Sequence, residues 1–170
     1  LSPLMFCKGT VEVTVLPAAL QGDTAVVLCH PRSSYYELDN QARTRVPGAG
    51  RLTVTRNWLS NGNRLLVSGN VTGVRKETLN LFDSSAFFMH TFLERLLARG
   101  VTVSPTYAYA ALPADSGKVA RLACWETSIQ QVLNQLMKES DNLNAEALLC
   151  RLGAQASEKK QVAAEDGIVE

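Results

Sequence analysis

Residues Lys138 to Glu146 read Lys-Glu-Ser-Asp-Asn-Leu-Asn-Ala-Glu, with the polar triplet Ser140-Asp141-Asn142 near their centre. The segments on both sides space their apolar side chains as helices do. A polar triplet at a break between two helices projects a hydroxyl and an amide from a rigid base. The triplet alone is a weak signal, because Ser, Asp and Asn also favour helix ends, where they cap the backbone.

Two helices are predicted around this break. The first begins at Thr127 or Ser128, since each offers a capping box to a Gln three residues later. The second is predicted from about residue 142 to 152, with Gly153 closing it and Asp141 capping its start. The triplet therefore occupies a short turn between two helices.

Before this helical region the chain predicts β structure. Thr10 to Leu16 alternates polar and apolar residues, and three valines share one face: Val11, Val13 and Val15. Asn61-Gly62 is a strong hairpin signal ahead of a strand at residues 64–68. Further strands are predicted at residues 25–28, 52–54 and 78–82.

One helix interrupts the β region. Asp83 is its predicted N-cap, and Gly100 suits the left-handed residue that ends such a helix. Its apolar stripe predicts a face that packs in the core, consisting of Phe88, Met89, Phe92, Leu93, Leu96 and Leu97. Extended structure is predicted to resume at residues 101–103 and 107–112.

Composition limits the classes of function. With 170 residues, 46% of them hydrophobic and 19% charged, the chain predicts a soluble globular protein. A net charge of +1 argues against a basic nucleic-acid-binding surface. No apolar run approaches the ~20 residues that a membrane span needs, and the opening residues lack the pattern of a signal peptide.

Cysteine and histidine do not predict a metal centre or a catalytic triad. The four cysteines lack C-x-x-C spacing, and we predict that they are free buried thiols. A disulfide remains an alternative if the protein is periplasmic. His30 and His90 have no evident triad partners. Trp58, Tyr35 and Tyr36 could contact glycan strands, but aromatic residues at strand ends more often pack.

The longer run from Lys138 to Leu149 resembles the SxN region of low-molecular-mass class C penicillin-binding proteins, the D-alanyl-D-alanine carboxypeptidase/endopeptidase family. S-D-N is one of three motifs of penicillin-recognising serine enzymes, beside S-x-x-K and K-T-G. Gly9 to Pro31 is similar to a strand-turn-strand of the family's inserted β-rich domain. The stretch from Asp83 to Val103 resembles the helix and strand that lead back to its catalytic domain, and residues 165–167 resemble the segment after the motif helix.

The resemblance implies an α+β fold in two parts. Residues 1–112 are expected to form the β-rich inserted domain with one helix. Residues 113–170 are expected to be the helical part of a penicillin-binding/serine β-lactamase-like (transpeptidase-like) domain. The parent protein would be a periplasmic serine-type D-Ala-D-Ala carboxypeptidase or endopeptidase. It would act on peptidoglycan stem peptides through an acyl-enzyme, bind β-lactams, and need no metal or organic cofactor.

Ser140 and Asn142 are the catalytic residues that this resemblance implies. Ser140 would help pass a proton to the departing amine. Asn142 would hold the amide carbonyl of the substrate and position the lysine of the nucleophile. The other two motifs are not in place: no S-x-x-K precedes Ser140, and no K-T-G occurs. Residues 157–160 formally match S-x-x-K. This match comes after Ser140, whereas the family's nucleophile precedes the S-D-N motif, so we interpret it as a coincidence.

The chain alone is therefore expected to be inactive. Three alternatives remain open. The chain could be a non-catalytic module that binds peptidoglycan or a partner protein, or an unrelated β-rich scaffold. The triplet could also serve only to cap the two helices.

Overall fold

The computed structural model describes residues 4–104, 106–108, 120 and 122–156. The chain divides into two compact units, residues 2–108 and residues 109–170. The predicted domain boundary between residues 112 and 113 lies outside the described residues. The elements within them are β1 (Thr10–Leu16), β2 (Val26–His30), β3 (Glu37–Asn40), β4 (Arg43–Thr44), β5 (Thr53–Arg56), β6 (Arg64–Ser68), β7 (Asn70–Val71), β8 (Arg75–Asn80), α1 (Ser84–Ala98), α2 (Ile129–Glu139) and α3 (Asn142–Ala156). The predicted α+β class is confirmed.

Strand β1 lies at the centre of the first sheet, between β2 and β8, and is antiparallel to both. Its alternation puts every second side chain on the same face. That face is fully buried at Val11, Val13 and Val15. The prediction for this strand is confirmed. Because every second residue is apolar, the alternation determines which face of the strand packs against the core.

The second sheet has the order β3-β6-β5, and a short parallel pair joins β4 to β7. β5 and β6 form the predicted antiparallel hairpin, and Asn61 takes a φ of +52° in its connection. Gly69 follows β6 with a φ of +99°, and a Cβ there would lie 2.3 Å from the carbonyl oxygen of Arg51. A side chain at this position would collide with the backbone, so the close approach requires glycine.

Sequence reasoning missed β3 and β4. Neither strand alternates apolar and polar residues, and β4 has two residues only. β3 is parallel to β6, and the Asn40 side-chain amide donates a hydrogen bond to the carbonyl of Ala25 at 2.7 Å. These strands depend on partners that are distant in sequence, so no local pattern announces them.

Helix α1 begins as predicted, because the Asp83 carboxylate accepts a hydrogen bond from the N–H of Ala86 at 2.9 Å. Its buried residues are Phe87 and Thr91. The predicted core stripe is therefore wrong: Phe92, for example, is 48% exposed. Phe87 lies one position, about 100° around the helix, before Phe88. The face of α1 that contacts the core therefore contains Phe87 and Thr91 and lies next to the more apolar face that was predicted to do so.

The second unit contains α2 and α3. Ser128 caps α2, and the reciprocal bonds of the capping box with Gln131 are both present. α3 begins at Asn142 as predicted but runs through Gly153 to Ala156, so the predicted end at Gly153 is wrong. A helical glycine costs only about 1 kcal/mol relative to alanine. The good helix formers after Gly153 are enough to continue the helix.

The remaining local predictions have mixed outcomes. No strand is formed at residues 101–103 or 107–108, the described part of the segments where extended structure was expected. Residues 109–112, 157–160 and 165–167 lie outside the described residues. All four cysteines are free, but none is buried: Cys7 and Cys124 are exposed, while Cys29 and Cys150 are half-buried.

Candidate active-site turn

The turn between α2 and α3 is built on an unusual backbone conformation at Ser140. This residue ends α2 with φ +50° and ψ +46°, in the left-handed region. Its N–H and that of Asp141 both donate to the carbonyl of Leu136. Left-handed conformations cost a non-glycine residue roughly 1–2 kcal/mol. Only Ser140 and Asp141 separate the end of α2 from the start of α3.

Asp141 fixes the other side of the turn. Its side chain is 9% exposed, and Oδ1 accepts hydrogen bonds from the N–H groups of Leu143 and Asn144 at 3.1 and 3.4 Å. Oδ2 accepts a third bond from the Asn144 side-chain amide at 3.1 Å. Its negative charge also lies at the positive end of the α3 dipole. The prediction that Asp141 caps α3 is confirmed.

Ser140 and Asn142 lie on either side of this buried carboxylate, and both are exposed. Ser140 directly follows the last helical residue of α2 as its C-cap, and Asn142 is the first residue of α3. The two predicted site residues are thus two positions apart and both exposed, where hydrogen bonds define the end of α2 and the start of α3. A hydroxyl and a carboxamide so placed can donate and accept hydrogen bonds to a ligand. Their catalytic roles stay a prediction.

The apolar side of α2 is only partly covered. Val132 and Leu136 are half-buried, whereas Ile129, Leu133 and Met137 are exposed. Lys138 lies in the last turn of the helix, where a cation is favoured by the helix dipole. The helix that presents Ser140 therefore shows an apolar stripe beside a charged end.

A second polar cluster lies in the first unit, around His90. His90 has polar neighbours, since its Nε2 lies 2.8 Å from Ser34 Oγ and 3.5 Å from Glu94 Oε1. The Ser34 hydroxyl donates to Glu94 Oε1 at 2.6 Å, and the Ser33 hydroxyl donates to Glu94 Oε2 at 2.7 Å. The spacing of His90 and Glu94, four residues apart on a helix, was the only local signal for this pair.

This cluster does not have the geometry of a catalytic triad. In a triad the acid and the nucleophile meet opposite nitrogens of the imidazole. Here Ser34 and Glu94 both face Nε2 of His90. Burial raises the pKa of Glu94, but bonds from Ser34 and Ser33 and the nearby imidazole outweigh it and lower the pKa overall. The cluster fastens the segment before β3 to α1.

Neither the Cys7 thiol nor the Cys29 thiol shows a sign of activation. Cys7 is an exposed residue, but partial desolvation of its thiol raises the pKa above the ordinary value of 9.0. Burial also raises the pKa of Cys29, which a hydrogen bond from Tyr36 partly offsets. Both thiols are therefore protonated at neutral pH, and a thiolate is the reactive form.

Within the described residues, no group of three His, Cys, Asp or Glu side chains could hold a metal ion. No helix in the same part of the chain is both long and apolar enough to cross a membrane. His30 is exposed at the end of β2.

The polar turn between two helices, following a β-rich region with one helix, defines the class of protein. The chain matches the D-Ala-D-Ala carboxypeptidase 3 (S13) family over residues 1–169. It therefore belongs to that family, and the resemblance seen in the sequence is confirmed. A comparison with curated protein sequences finds no match.

Solved structures show the same fold. Penicillin binding protein 4 (dacB) from Haemophilus influenzae is similar with a TM-score of 0.60 and 13% identity, over 96% of this chain and 36% of that one. The same Haemophilus influenzae protein complexed with a β-lactam gives a TM-score of 0.58 and 13% identity, over 96% and 38% of the two chains. This chain thus spans little more than a third of those proteins.

Proposed function

We propose that this chain is part of a serine-type D-Ala-D-Ala carboxypeptidase or endopeptidase that acts on peptidoglycan stem peptides. In the proposed reaction a serine attacks the peptide carbonyl and forms an acyl-enzyme, which water then hydrolyses. β-Lactams would acylate the same serine. The family match over residues 1–169 and the β-lactam complex of the similar Haemophilus influenzae protein support this proposal.

The observation that carries the proposal is the exposed pair Ser140 and Asn142 on either side of the buried Asp141. Asp141 uses its carboxylate on the start of α3, whereas the Ser140 hydroxyl and the Asn142 amide lie on exposed residues. Ser140 would relay a proton to the departing amine, which requires a hydrogen-bond distance of about 2.6–3.2 Å. Asn142 would donate to the amide carbonyl of the substrate and orient the lysine beside the nucleophile.

In this proposal the nucleophile lies outside these residues. No S-x-x-K precedes Ser140, and the sequence contains no K-T-G. The serine that forms the acyl-enzyme, the donors of its oxyanion hole and the strand that binds the substrate would come from other parts of the full-length protein. The chain alone should therefore neither hydrolyse peptides nor bind penicillin covalently. The exposed apolar residues of α2 support contact with such a further part.

A periplasmic location belongs to the same proposal, because peptidoglycan lies outside the cytoplasmic membrane.

Labelling with a fluorescent penicillin tests the proposal, run on this chain and on the full-length protein side by side. We expect the full-length protein to be labelled and the chain to remain unlabelled. A labelled chain would show that a competent serine lies within it, with Ser157 the first to substitute. An unlabelled full-length protein would contradict the enzymatic proposal and favour a non-catalytic module.

A further inference from the structure

An open groove of about 470 Å³ lies on the sheet formed by β3, β6 and β5, within the unit of residues 2–108. Trp58 and Leu66 contribute its apolar lining, while Asp39, Gln41, Arg56 and Arg64 contribute its polar lining. None of these residues belongs to the Ser140 turn. Concave surfaces that combine apolar area with a few placed polar groups are typical of binding sites.

Trp58 is the exposed aromatic side chain of this groove. Tyr35 packs its ring 5.6 Å from that of Phe87, and Tyr36 donates its hydroxyl to the carbonyl of Pro31. Trp58, in contrast, is 63% exposed. The sequence-based expectation that such aromatics pack thus holds for the two tyrosines and fails for the tryptophan.

Hydrogen bonds fix the backbone around Trp58. The N–H of Trp58 donates to the carbonyl of Arg56 at 2.8 Å, and its carbonyl accepts from the N–H of Asn61 at 3.2 Å. A further bond joins the N–H of Gly62 to the carbonyl of Asn57 at 3.0 Å. The flat ring is therefore presented from a hydrogen-bonded turn, which reduces the entropy that a ligand must overcome.

The polar side chains opposite are also ordered before any ligand binds. The Asp39 carboxylate accepts from Arg64 Nη2 at 2.8 Å and from Gln41 Nε2 at 3.1 Å. Arg56 Nη1 donates to the carbonyl of Gly62 at 2.8 Å. Each guanidinium has five N–H donors in a fixed plane, so these bonds orient donors that can still reach a ligand.

This combination fits a saccharide that carries a carboxyl group. The C–H face of a sugar ring packs flat on an indole, and its hydroxyl and amide groups bond to planar amide, carboxylate and guanidinium side chains. Two arginines against one aspartate leave a positive excess, which complements a single carboxylate. A nucleic acid would require a more basic surface than this one, with its carboxylate at the centre of the polar lining.

We propose that the Trp58 groove binds peptide-free stretches of the glycan strand of peptidoglycan, with an amino sugar on the indole and the free lactyl carboxylate of the neighbouring sugar at Arg56 and Arg64. The lactyl carboxyl is free only where no stem peptide is attached to it through an amide bond. The choice of polymer rests on the proposed function, whereas the saccharide chemistry rests on the groove itself. The groove would hold such a stretch while stem peptides on other sugars of the strand are processed elsewhere in the protein.

The probe is the peptide-free disaccharide of N-acetylglucosamine and N-acetylmuramic acid, titrated calorimetrically into the 170-residue chain. We expect saturable binding that Trp58→Ala weakens at least about fivefold, as truncation of an anchoring tryptophan commonly does. Trp58→Phe should recover part of the affinity. Trp125→Ala is the matched control, because Trp125 is 92% exposed and lies in the other unit, and it should leave binding unchanged.

Two further variants test the contribution of the carboxyl group separately from that of the sugar rings. Arg64→Gln should weaken binding of the disaccharide but not of di-N-acetylchitobiose, which lacks the carboxyl group. Arg75→Gln, which alters an exposed arginine paired with Glu77, should affect neither ligand. A sugar-free stem pentapeptide should not compete.

The proposal is overturned if the disaccharide does not bind at millimolar concentration, if Trp58→Ala binds it as tightly as the original chain, or if the pentapeptide occupies the groove instead. Because circular dichroism reports whether Trp58→Ala folds, a loss of structure is not confused with a loss of the site. Penicillin labelling of the full-length protein does not involve Trp58. If the full-length protein is not labelled but the disaccharide still binds, the enzymatic function is refuted and saccharide binding by the groove is retained.

Discussion

At the scale of single residues, the members of the Ser-Asp-Asn triplet differ in burial and in role. Asp141 turns inward and caps α3, whereas Ser140 and Asn142 face solvent. The capping role follows from the sequence, because aspartate before a helical run satisfies free N–H groups. The left-handed backbone of Ser140 does not follow from the sequence, since no local preference of serine demands this conformation at the end of α2.

The cap at Asp141 can be tested directly. Asp141→Ala should remove the acceptor for Leu143 and Asn144, at a cost of about 1 kcal/mol to the first turn of α3. The amide hydrogens of these two residues should then exchange roughly fivefold faster by NMR. Asp141→Asn is the matched control, because asparagine caps about as well. Equal exchange rates in the alanine variant and the original chain would contradict the cap.

At the scale of elements, Glu94 on α1 is the side chain that fastens the segment at Ser33 and Ser34 to the helix. No sequence pattern links residues 60 positions apart, so this contact could not be predicted. It is nevertheless a main polar attachment between α1 and the chain before β3. Its strength should depend on the charge of the carboxylate, since the hydroxyls and N–H donate to it.

Stability at acidic pH tests this attachment. The hydrogen bonds lower the pKa of Glu94 below its ordinary value of 4.5, so the carboxylate stabilises the fold above that pH. This contribution should be lost as the pH falls from about 4.5 through the lower folded value. Glu94→Gln should reduce the melting temperature near pH 7 and flatten its fall below pH 4.5, as followed by circular dichroism. Glu37→Gln, at an exposed carboxylate, is the control, and parallel melting curves for both variants would contradict the attachment.

The elements also show where sequence reasoning stops. β1, the β5–β6 hairpin and the starts of α1, α2 and α3 were predictable, because each has a local signal in alternation, turn residues or caps. β3 and β4 were not, since they exist through pairing with β6 and β7. The face of α1 that packs was predicted one position away from Phe87, because apolar content does not tell which side of a helix the sheet covers.

At the scale of the whole molecule, the chain joins a β-rich unit that bears the Trp58 groove to a helical unit that bears the Ser140 turn. It spans 36–38% of the similar penicillin-binding proteins, and the proposed chemistry would require further residues of the full-length protein. The Ser140 and Asn142 pair was predictable from its motif. The groove was not, because Asp39, Gln41 and Arg64 come together only in the folded sheet.

The most direct test of the central claim is the rate of acylation of the full-length protein by a fluorescent penicillin, measured for Ser140→Gly, Asn142→Ala and the control Asn134→Ala. Glycine suits the φ of +50° at position 140, so the first variant loses the hydroxyl and keeps the turn. Asn134 is an exposed asparagine of α2 outside the turn.

We predict that Ser140→Gly and Asn142→Ala each lower the second-order rate at least about 100-fold, the lower range for loss of a proton-transfer or positioning group, while Asn134→Ala keeps it unchanged. Rates within twofold of the original protein for both turn variants would contradict the account. In that case the triplet would serve only to join and cap the two helices.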